Sequence, residues 1–249
     1  MCGLNVHAKG NIAPMNPSRQ YRYYDLVMAG FVCVLLCSNL IGAPKAAEAE
    51  LPLLGKVVFS GGVLFFPISY IFGDILTEVY GYGRDRRGGG AGFAALAFAS
   101  FMAAVVLALP PAPDAFNREY QVHLDAVFGN TTRITLGSMI AFWCGSFVNS
   151  YVLAKMKIAT GGRWLWTRTI GSTIIGEAVD SGLFYVIAFY GIWPQEQVLQ
   201  IALSQYVLKT GWEILMTPVT YRVVRFLKAR EHEDFYDRHT NFNPFRLKV

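Results

Sequence analysis

The stretch FPISYIFGDILTEVYGYGRDRR, residues 66–87, joins an apolar run to two carboxylates and a basic segment. Tyr70, Asp74 and Glu78 recur at steps of four, which places them on one face of a helix. An ionisable side chain inside a bilayer costs at least about 2.5–3.5 kcal/mol on insertion scales, so it usually faces a protein interior or a wet cavity. The stretch therefore predicts a membrane helix whose acidic face meets other helices.

The rest of the chain is also rich in apolar residues. Of its 249 residues, 53% are hydrophobic and 16% are charged, whereas roughly 25% are charged in an average soluble domain. Six blocks approach the length of about 20 apolar residues that crosses a bilayer as a helix. They are residues 25–43, 57–80, 91–110, 133–156, 167–191 and 201–224. Since backbone amides in lipid must be bonded within their own segment, the sequence predicts an all-α integral membrane protein with six transmembrane helices.

Basic residues alternate between the connections, as the positive-inside rule requires. Sixteen Lys and Arg residues fall in the two terminal segments and the second and fourth connections, against three on the opposite side. We therefore expect a cytoplasmic N-terminal segment (1–24), a six-helix transmembrane domain (25–228) and a cytoplasmic C-terminal tail (229–249). The net charge of +5 then follows from topology and needs no nucleic-acid partner.

Several other classes of protein are disfavoured. Cys33 and Cys37 lie four apart on one helical face, but no His or further Cys completes a metal-ligand pattern, so no metal or cofactor is expected. Ile71-Phe72-Gly73-Asp74 lacks the first glycine of the Gly-x-Gly-Asp pattern of intramembrane aspartyl proteases. The chain also lacks a Gly-x-Ser-x-Gly elbow and a metal-binding His pair, and we expect no enzymatic activity.

Polar residues inside the predicted spans are the candidates for a substrate site. The predicted substrate-binding residues are Asn39, Tyr70, Asp74, Asn149, Glu177, Asp180, Lys209 and Glu213. Four acids facing one lysine make a strongly negative cavity, which favours protonation, ion pairing or a bound cation. Intramembrane ionisable residues point to function by default, while structural ion pairing remains the alternative.

Two further features of residues 57–87 suggest how such a site opens. Pro67 follows Gly61 and Gly62 and predicts a kink in the second helix. Glu78, Arg84 and Arg87 lie at the predicted cytoplasmic interface, where they form either a gate of ion pairs or simple topology determinants.

Residues 116–128 have helical spacing and predict a short helix on the outer membrane surface.

Residues 66–87 resemble the signature of the vitamin-uptake-like family of queuosine precursor transporters. The resemblance continues in SNLIGAPK (38–45), RTIGSTIIGEAVDSGLFYVIAFYG (168–191), YVLKTGWEILMTPVTYRVV (206–224) and EDFYDRHTNFNPF (233–245). It implies a bundle like the substrate-binding subunit of energy-coupling-factor transporters, working in the inner membrane without an ATPase. Polar positions that match the family pattern are Asn39, Asp74, Arg87, Arg133, Asp180 and Lys209. Ser146, Asn149 and Glu177 depart from it.

The resemblance implies import of 7-cyano-7-deazaguanine and 7-aminomethyl-7-deazaguanine. The acidic cavity makes proton coupling a candidate driving force. A deazaguanine presents an N1–H and an exocyclic amine that a carboxylate can accept as a pair, and its carbonyl needs a donor such as Lys209. The alternative is another small heterocycle, a vitamin or a nucleobase, with or without a partner energy-coupling module. The expected partners are this small molecule and the lipid bilayer, and a homo-oligomer remains open.

Overall fold

The computed structural model describes residues 20–42, 46–51, 55–129, 132–191 and 194–246. Within these ranges the chain forms seven α-helices and one pair of strands. The helices are α1 (Tyr24–Cys37), α2 (Phe66–Tyr80), α3 (Tyr82–Leu107), α4 (Ala115–Phe128), α5 (Thr132–Ala159), α6 (Leu165–Phe189) and α7 (Gln195–Glu231). A π-helical turn, Ser38–Gly42, extends α1, and a 3-10 turn, Gly61–Leu64, precedes α2.

Helix α2 is the centre of the bundle. It contacts α1, α3, α5 and α7, and every residue from Gly73 to its end is buried. One apolar cluster packs Ile75 and Val79 with Leu227 of α7, and a second packs Tyr70 with Phe31 and residues of α5. A helix buried on all sides belongs to the interior of a bundle, so the acids of α2 face protein.

The other helices turn large apolar side chains outward. Exposed examples are Phe98 and Phe101 on α3, Ile174 and Val186 on α6, and Leu203 and Val207 on α7. In the described part of the chain, five helical segments are long and apolar enough to cross a membrane. They are Tyr24–Gly42, Gly61–Tyr80, Tyr82–Leu107, Leu136–Ala159 and Leu165–Phe189. The predicted span 201–224 lies within α7 but is not among them, because Gln205, Lys209 and Glu213 lower its hydropathy.

The segment before α2 differs from the prediction. Residues Ala46–Leu51 and Gly55–Ser60 form an antiparallel pair of strands, so the second helix does not begin at residue 57. The run Val57-Val58-Phe59 is β-branched and aromatic, which favours a strand. Pro67 lies in the first turn of α2, where a missing N–H breaks no helical hydrogen bond. The predicted kink at Pro67 is therefore wrong.

The corner between α2 and α3 is also tighter than predicted. Gly81 alone separates the two helices and has φ 87°, a conformation that glycine adopts without strain. Helix α3 thus begins at Tyr82 rather than at residue 91, and Arg84 and Arg87 lie in its first turns instead of in a loop. Helix α4 confirms the short helix predicted over residues 116–128, and the Asp114 side chain caps it by accepting from the Asn117 N–H at 2.9 Å.

Two glycines let α5 and α6 approach closely. A Cβ added to Gly176 would lie 2.7 Å from the Cβ of Asn149 and 3.0 Å from the carbonyl oxygen of Gly145. A Cβ on Gly145 would lie 2.6 Å from the Cβ of Asp180. Small residues at helix contacts allow such an approach in membranes. This contact is what brings the polar side chains of α5 next to those of α6.

We predict that Gly176→Ala lowers stability by about 1–3 kcal/mol, because an added methyl group overpacks the contact between α5 and α6. Thermal unfolding of the purified protein in detergent measures the effect. Gly182→Ala is the matched control on the same helix, because a Cβ there meets nothing within 4 Å. Equal losses of stability in the two variants would show that close packing at Gly176 is not the cause.

Candidate functional site

Four helices bring buried polar side chains together in what we call the central polar cluster. Its members are Tyr70 and Asp74 of α2, Asn149 of α5, Thr173, Glu177 and Asp180 of α6, and Lys209 and Glu213 of α7. The most exposed of them, Lys209, is only 9% exposed. The sequence predicted these polar residues, apart from Thr173, as a substrate site, and the structure brings them together.

Lys209 holds one half of the cluster together. Its Nζ donates to Oδ2 of Asp180 at 2.6 Å and to Oε2 of Glu177 at 3.0 Å. The same ammonium group lies 4.9 Å from the centre of the Phe66 ring. Charges that leave water need such partners, because each unpaired ion costs several kcal/mol. Lys209 thereby links α7 to α6.

Asp74 and Glu213 form the other half. Asn149 Nδ2 donates to Oδ1 of Asp74 at 2.7 Å, and Thr173 Oγ1 donates to Oε1 of Glu213 at 2.6 Å. The two carboxyl groups also lie within hydrogen-bonding reach of each other. Ionised carboxylates only accept hydrogen bonds, so this contact is a bond only when one group carries a proton.

Three polar atoms of the cluster find no hydrogen-bond partner in the described part of the chain. They are Oδ2 of Asp74, Oδ1 of Asn149 and the hydroxyl of Tyr70. The Tyr70 hydroxyl lies beside Asp180, because both border the space that a Cβ on Gly145 would fill. Buried polar atoms are normally paired with protein or water. These atoms therefore mark a place where a polar ligand can bind.

Asn39 is not part of this cluster. Its Nδ2 donates to the carbonyl of Leu35 at 3.0 Å, and its Oδ1 accepts from the Ser138 hydroxyl at 3.0 Å. Asn39 thus ties the π-helical turn of α1 to α5. The side chain of Arg133, which also matches the family pattern, lies outside the described residues.

A second buried group, which we call the Glu78 cluster, lies near the end of α2. The fully buried Glu78 accepts two hydrogen bonds of 2.8 Å from the guanidinium of Arg168 and another from Lys228. Lys157 lies 3.5 Å from the same carboxylate and donates to the Glu78 carbonyl at 2.6 Å. Three cations from α5, α6 and α7 thus surround one acid of α2.

The predicted pairing of Glu78 with Arg84 or Arg87 is therefore wrong. The Arg84 guanidinium packs over the Tyr21 ring at 4.6 Å, and Arg87 is exposed. Because α3 starts directly after Gly81, its first turn carries both arginines away from the end of α2.

The C-terminal tail covers this end of the bundle. Asp234 accepts from Lys157 at 2.6 Å and lies 2.7 Å from Lys228. Burial acts to raise the pKa of Asp234, but the two lysines outweigh it and hold that pKa below its ordinary value. Asp237 accepts from the Tyr82 N–H, and Arg86 donates to carbonyl groups of residues 241 and 243. The described part of the tail, through residue 246, thus packs against this end of the bundle.

Sequence reasoning missed Thr173 and the three cations of the Glu78 cluster. Arg168 lies inside the predicted span 167–191, so a count of every ionisable residue within the spans would have included it. Lys157 and Lys228 lie at or beyond predicted span ends and look like ordinary topology determinants. The partners of Glu78 are 79 to 150 residues away along the chain, which local periodicity cannot reveal.

Residues 60–223 match the family described as "Putative vitamin uptake transporter", and the chain belongs to that family. The protein is therefore a transporter rather than an enzyme, and a multi-pass protein of the inner membrane. It is also 31% identical over 206 residues to a Bacillus subtilis (strain 168) protein named "Probable queuosine precursor transporter", across 82% of this chain and 85% of that relative. No solved structure matches the chain. The resemblance seen in the sequence is confirmed.

We predict that Glu78→Gln lowers the free energy of unfolding by about 3–5 kcal/mol, since it leaves buried cations without their shared anion. Thermal or denaturant unfolding in detergent measures this change. Asp25→Asn, at an exposed acid in the first turn of α1, is the control and should be nearly neutral. A Glu78→Gln variant as stable as the control would mean that the buried ion pairs contribute little.

Proposed function

We propose that the protein is a secondary importer of the queuosine precursors 7-cyano-7-deazaguanine and 7-aminomethyl-7-deazaguanine, which are used to modify transfer RNA. The name of the Bacillus relative supports the substrate class. Membership of the vitamin uptake transporter family supports uptake of a small heterocycle. The central polar cluster supplies the chemistry to bind it.

The observation that carries the proposal is the hydrogen-bonded pair of Asp74 and Asn149. Nδ2 of Asn149 donates to Oδ1 of Asp74. The other oxygen of Asp74, Oδ2, and the amide oxygen of Asn149 are buried acceptors without a partner in the described residues. The N1–H and exocyclic amine of a deazaguanine are adjacent donors that suit two acceptors. Its carbonyl group can accept from the Tyr70 hydroxyl. The ammonium group of the aminomethyl form is favoured by the acids around Lys209.

We also propose that α7 is the sixth transmembrane helix, with both termini in the cytoplasm. Its 37 residues exceed the length of about 20 that a bilayer requires. Lys209 and Glu213 are buried against the bundle, while Leu203, Val207 and Leu215 are exposed, as expected for a helix with lipid on one side. The six spans suit a bundle of the energy-coupling-factor substrate-subunit type.

A proton shared by Asp74 and Glu213 is our proposed coupling element. Ionised carboxylates only accept hydrogen bonds, so a hydrogen bond between these two side chains requires a proton on one of them. Protonation from outside would neutralise the pair, and substrate donors would then compete for Asp74. Substrate binding and proton transfer thereby involve the same carboxylate.

The Glu78 cluster is our proposed gate on the cytoplasmic side. Its ion pairs join α2, α5, α6 and α7 and are covered by the tail through Asp234. A substrate leaving the central polar cluster in this direction must pass these side chains. Opening requires the pairs to exchange partners or to become hydrated.

We predict that Asp74→Asn abolishes queuosine formation in a host that lacks its own transporter and is supplied with external deazaguanine. The amide keeps the volume but replaces one acceptor with a donor, which cannot pair with the N–H groups of the substrate. Queuosine in transfer RNA is measured by mass spectrometry, and protein amount by immunoblot. Glu196→Gln, in the exposed first turn of α7, is the control and should retain uptake. Normal queuosine formation in Asp74→Asn would refute the role of this residue.

The same host separates the two candidate substrate classes. If the substrate is a deazaguanine, excess unlabelled 7-cyano-7-deazaguanine blocks uptake of the labelled aminomethyl form, and riboflavin or thiamine does not. Competition by a vitamin or an ordinary nucleobase at equal concentration would favour the alternative heterocycle, which the family description also supports.

We predict that the uptake rate rises as the external pH falls and that a protonophore abolishes the rise, because protons must reach the pair of Asp74 and Glu213. Glu213→Gln, which cannot release a proton, should make the rate independent of pH. Initial rates in proteoliposomes with an imposed pH gradient give this result. Equal rates at every external pH in the wild type would instead indicate facilitated entry.

A further inference from the structure

A crevice opens on the side of the bundle where the first turns of α3 meet α5 and the tail. Its lining includes three arginines, Arg86, Arg87 and Arg246, and three aromatic residues, Phe142, Trp143 and Phe147. Gly89 and Gly90 also border it, and a Cβ on either would meet nothing within 4 Å. None of the described residues that line the crevice belongs to the Glu78 cluster or to the central polar cluster.

The charge of the crevice is predominantly positive. Asp85 is the one carboxylate among the described residues that line it. Nη1 of Arg86 donates hydrogen bonds to two carbonyl groups of the tail. These bonds hold the tail in place as one wall of the crevice. Arg246 is close enough to Arg86 to act on it as a like charge. Clustered guanidinium groups of this kind favour a phosphate, which they can bind through paired hydrogen bonds.

The crevice joins basic residues to apolar ones. The basic segment of α3 ends at Arg87, and the apolar run AGFAALAFASFMAAVVL (91–107) follows after three glycines. Trp143 contacts Phe93 of this run at 6.4 Å between ring centres, and Phe147 and Phe245 at 5.7 Å and 5.2 Å. Aromatic rings concentrate at membrane interfaces, and basic pockets at that level bind anionic lipid headgroups.

The surface of α3 extends from this crevice as an apolar track. Ala94, Phe98 and Phe101 follow Arg87 at helical spacing, and all three are exposed. An acyl chain attached to a phosphate in the crevice can lie along these side chains. A free phosphate ion would leave the track unused.

We propose that this crevice binds the phosphate group of an anionic phospholipid, with Arg87 and Arg246 as ligands and the acyl chains along α3. The site is separate from the proposed substrate site and does not depend on the identity of the transported molecule. A bound lipid joins α3, α5 and the tail, and therefore stabilises the packed tail.

Thermal unfolding with added lipid tests the proposal. Purified protein in detergent is titrated with dioleoylphosphatidylglycerol, dioleoylphosphatidylcholine or inorganic phosphate. For the wild type, the anionic lipid should raise the midpoint by about 5 °C at saturation, and the other two additives should raise it little. The double variant Arg87→Gln, Arg246→Gln should lose most of the rise. The control Arg222→Gln, Arg225→Gln, at exposed arginines of α7, should keep it.

Each shift is taken relative to the lipid-free midpoint of the same variant, so a less stable variant remains informative. If the double variant does not fold, Arg246→Gln alone is used, and lipid retained by the purified protein is counted by native mass spectrometry. Equal shifts, or equal amounts of retained lipid, in the wild type and all variants would show that the lipid does not bind in this crevice. If inorganic phosphate shifts the midpoint as much as phosphatidylglycerol does, the crevice binds a free phosphate ion and not a lipid.

Discussion

Every charge buried in this bundle has to be paired, and the bonds from Lys209 to Glu177 and Asp180 are the interaction on which the rest depends. Helix α7 carries too many polar residues to be held in a membrane by hydropathy alone, and these bonds join it to α6. Helix α5 packs closely on α6 at the small residues Gly145 and Gly176, which brings Asn149 to the same cluster. The side chains that form the candidate site are therefore also the ones that hold the bundle together.

The two buried polar centres differ in the sign of their charge. The central polar cluster has an excess of acids over its single lysine, whereas the Glu78 cluster has more cations than anions. In the proposed function the first favours donors and cations of a substrate. In the same proposal the second is the gate, a closed barrier of ion pairs between the site and one end of the bundle. The packed tail, held by Asp234 and Asp237, reinforces that barrier.

The sequence predicted the helices and the faces of the candidate site, but not the pairing of side chains. Steps of four along α2 identified Tyr70 and Asp74 as inward-facing, because helical periodicity is a local property. It could not predict that Glu78 meets Arg168, since that contact depends on how two distant helices rotate against each other. It also failed where local preferences compete, as in the strand at residues 55–60 and the early start of α3 after Gly81. The substrate role of the cluster stays a prediction.

The most direct test of the central claim is a cryo-EM structure of the protein with 7-cyano-7-deazaguanine bound. We expect the base between α2, α5, α6 and α7, with its N1–H and exocyclic amine on the free acceptor oxygens of Asp74 and Asn149. Its carbonyl group should lie near the Tyr70 hydroxyl. A base bound elsewhere, with the Asp74, Asn149 and Glu213 contacts unchanged, would show that the central polar cluster is a structural core rather than the substrate site.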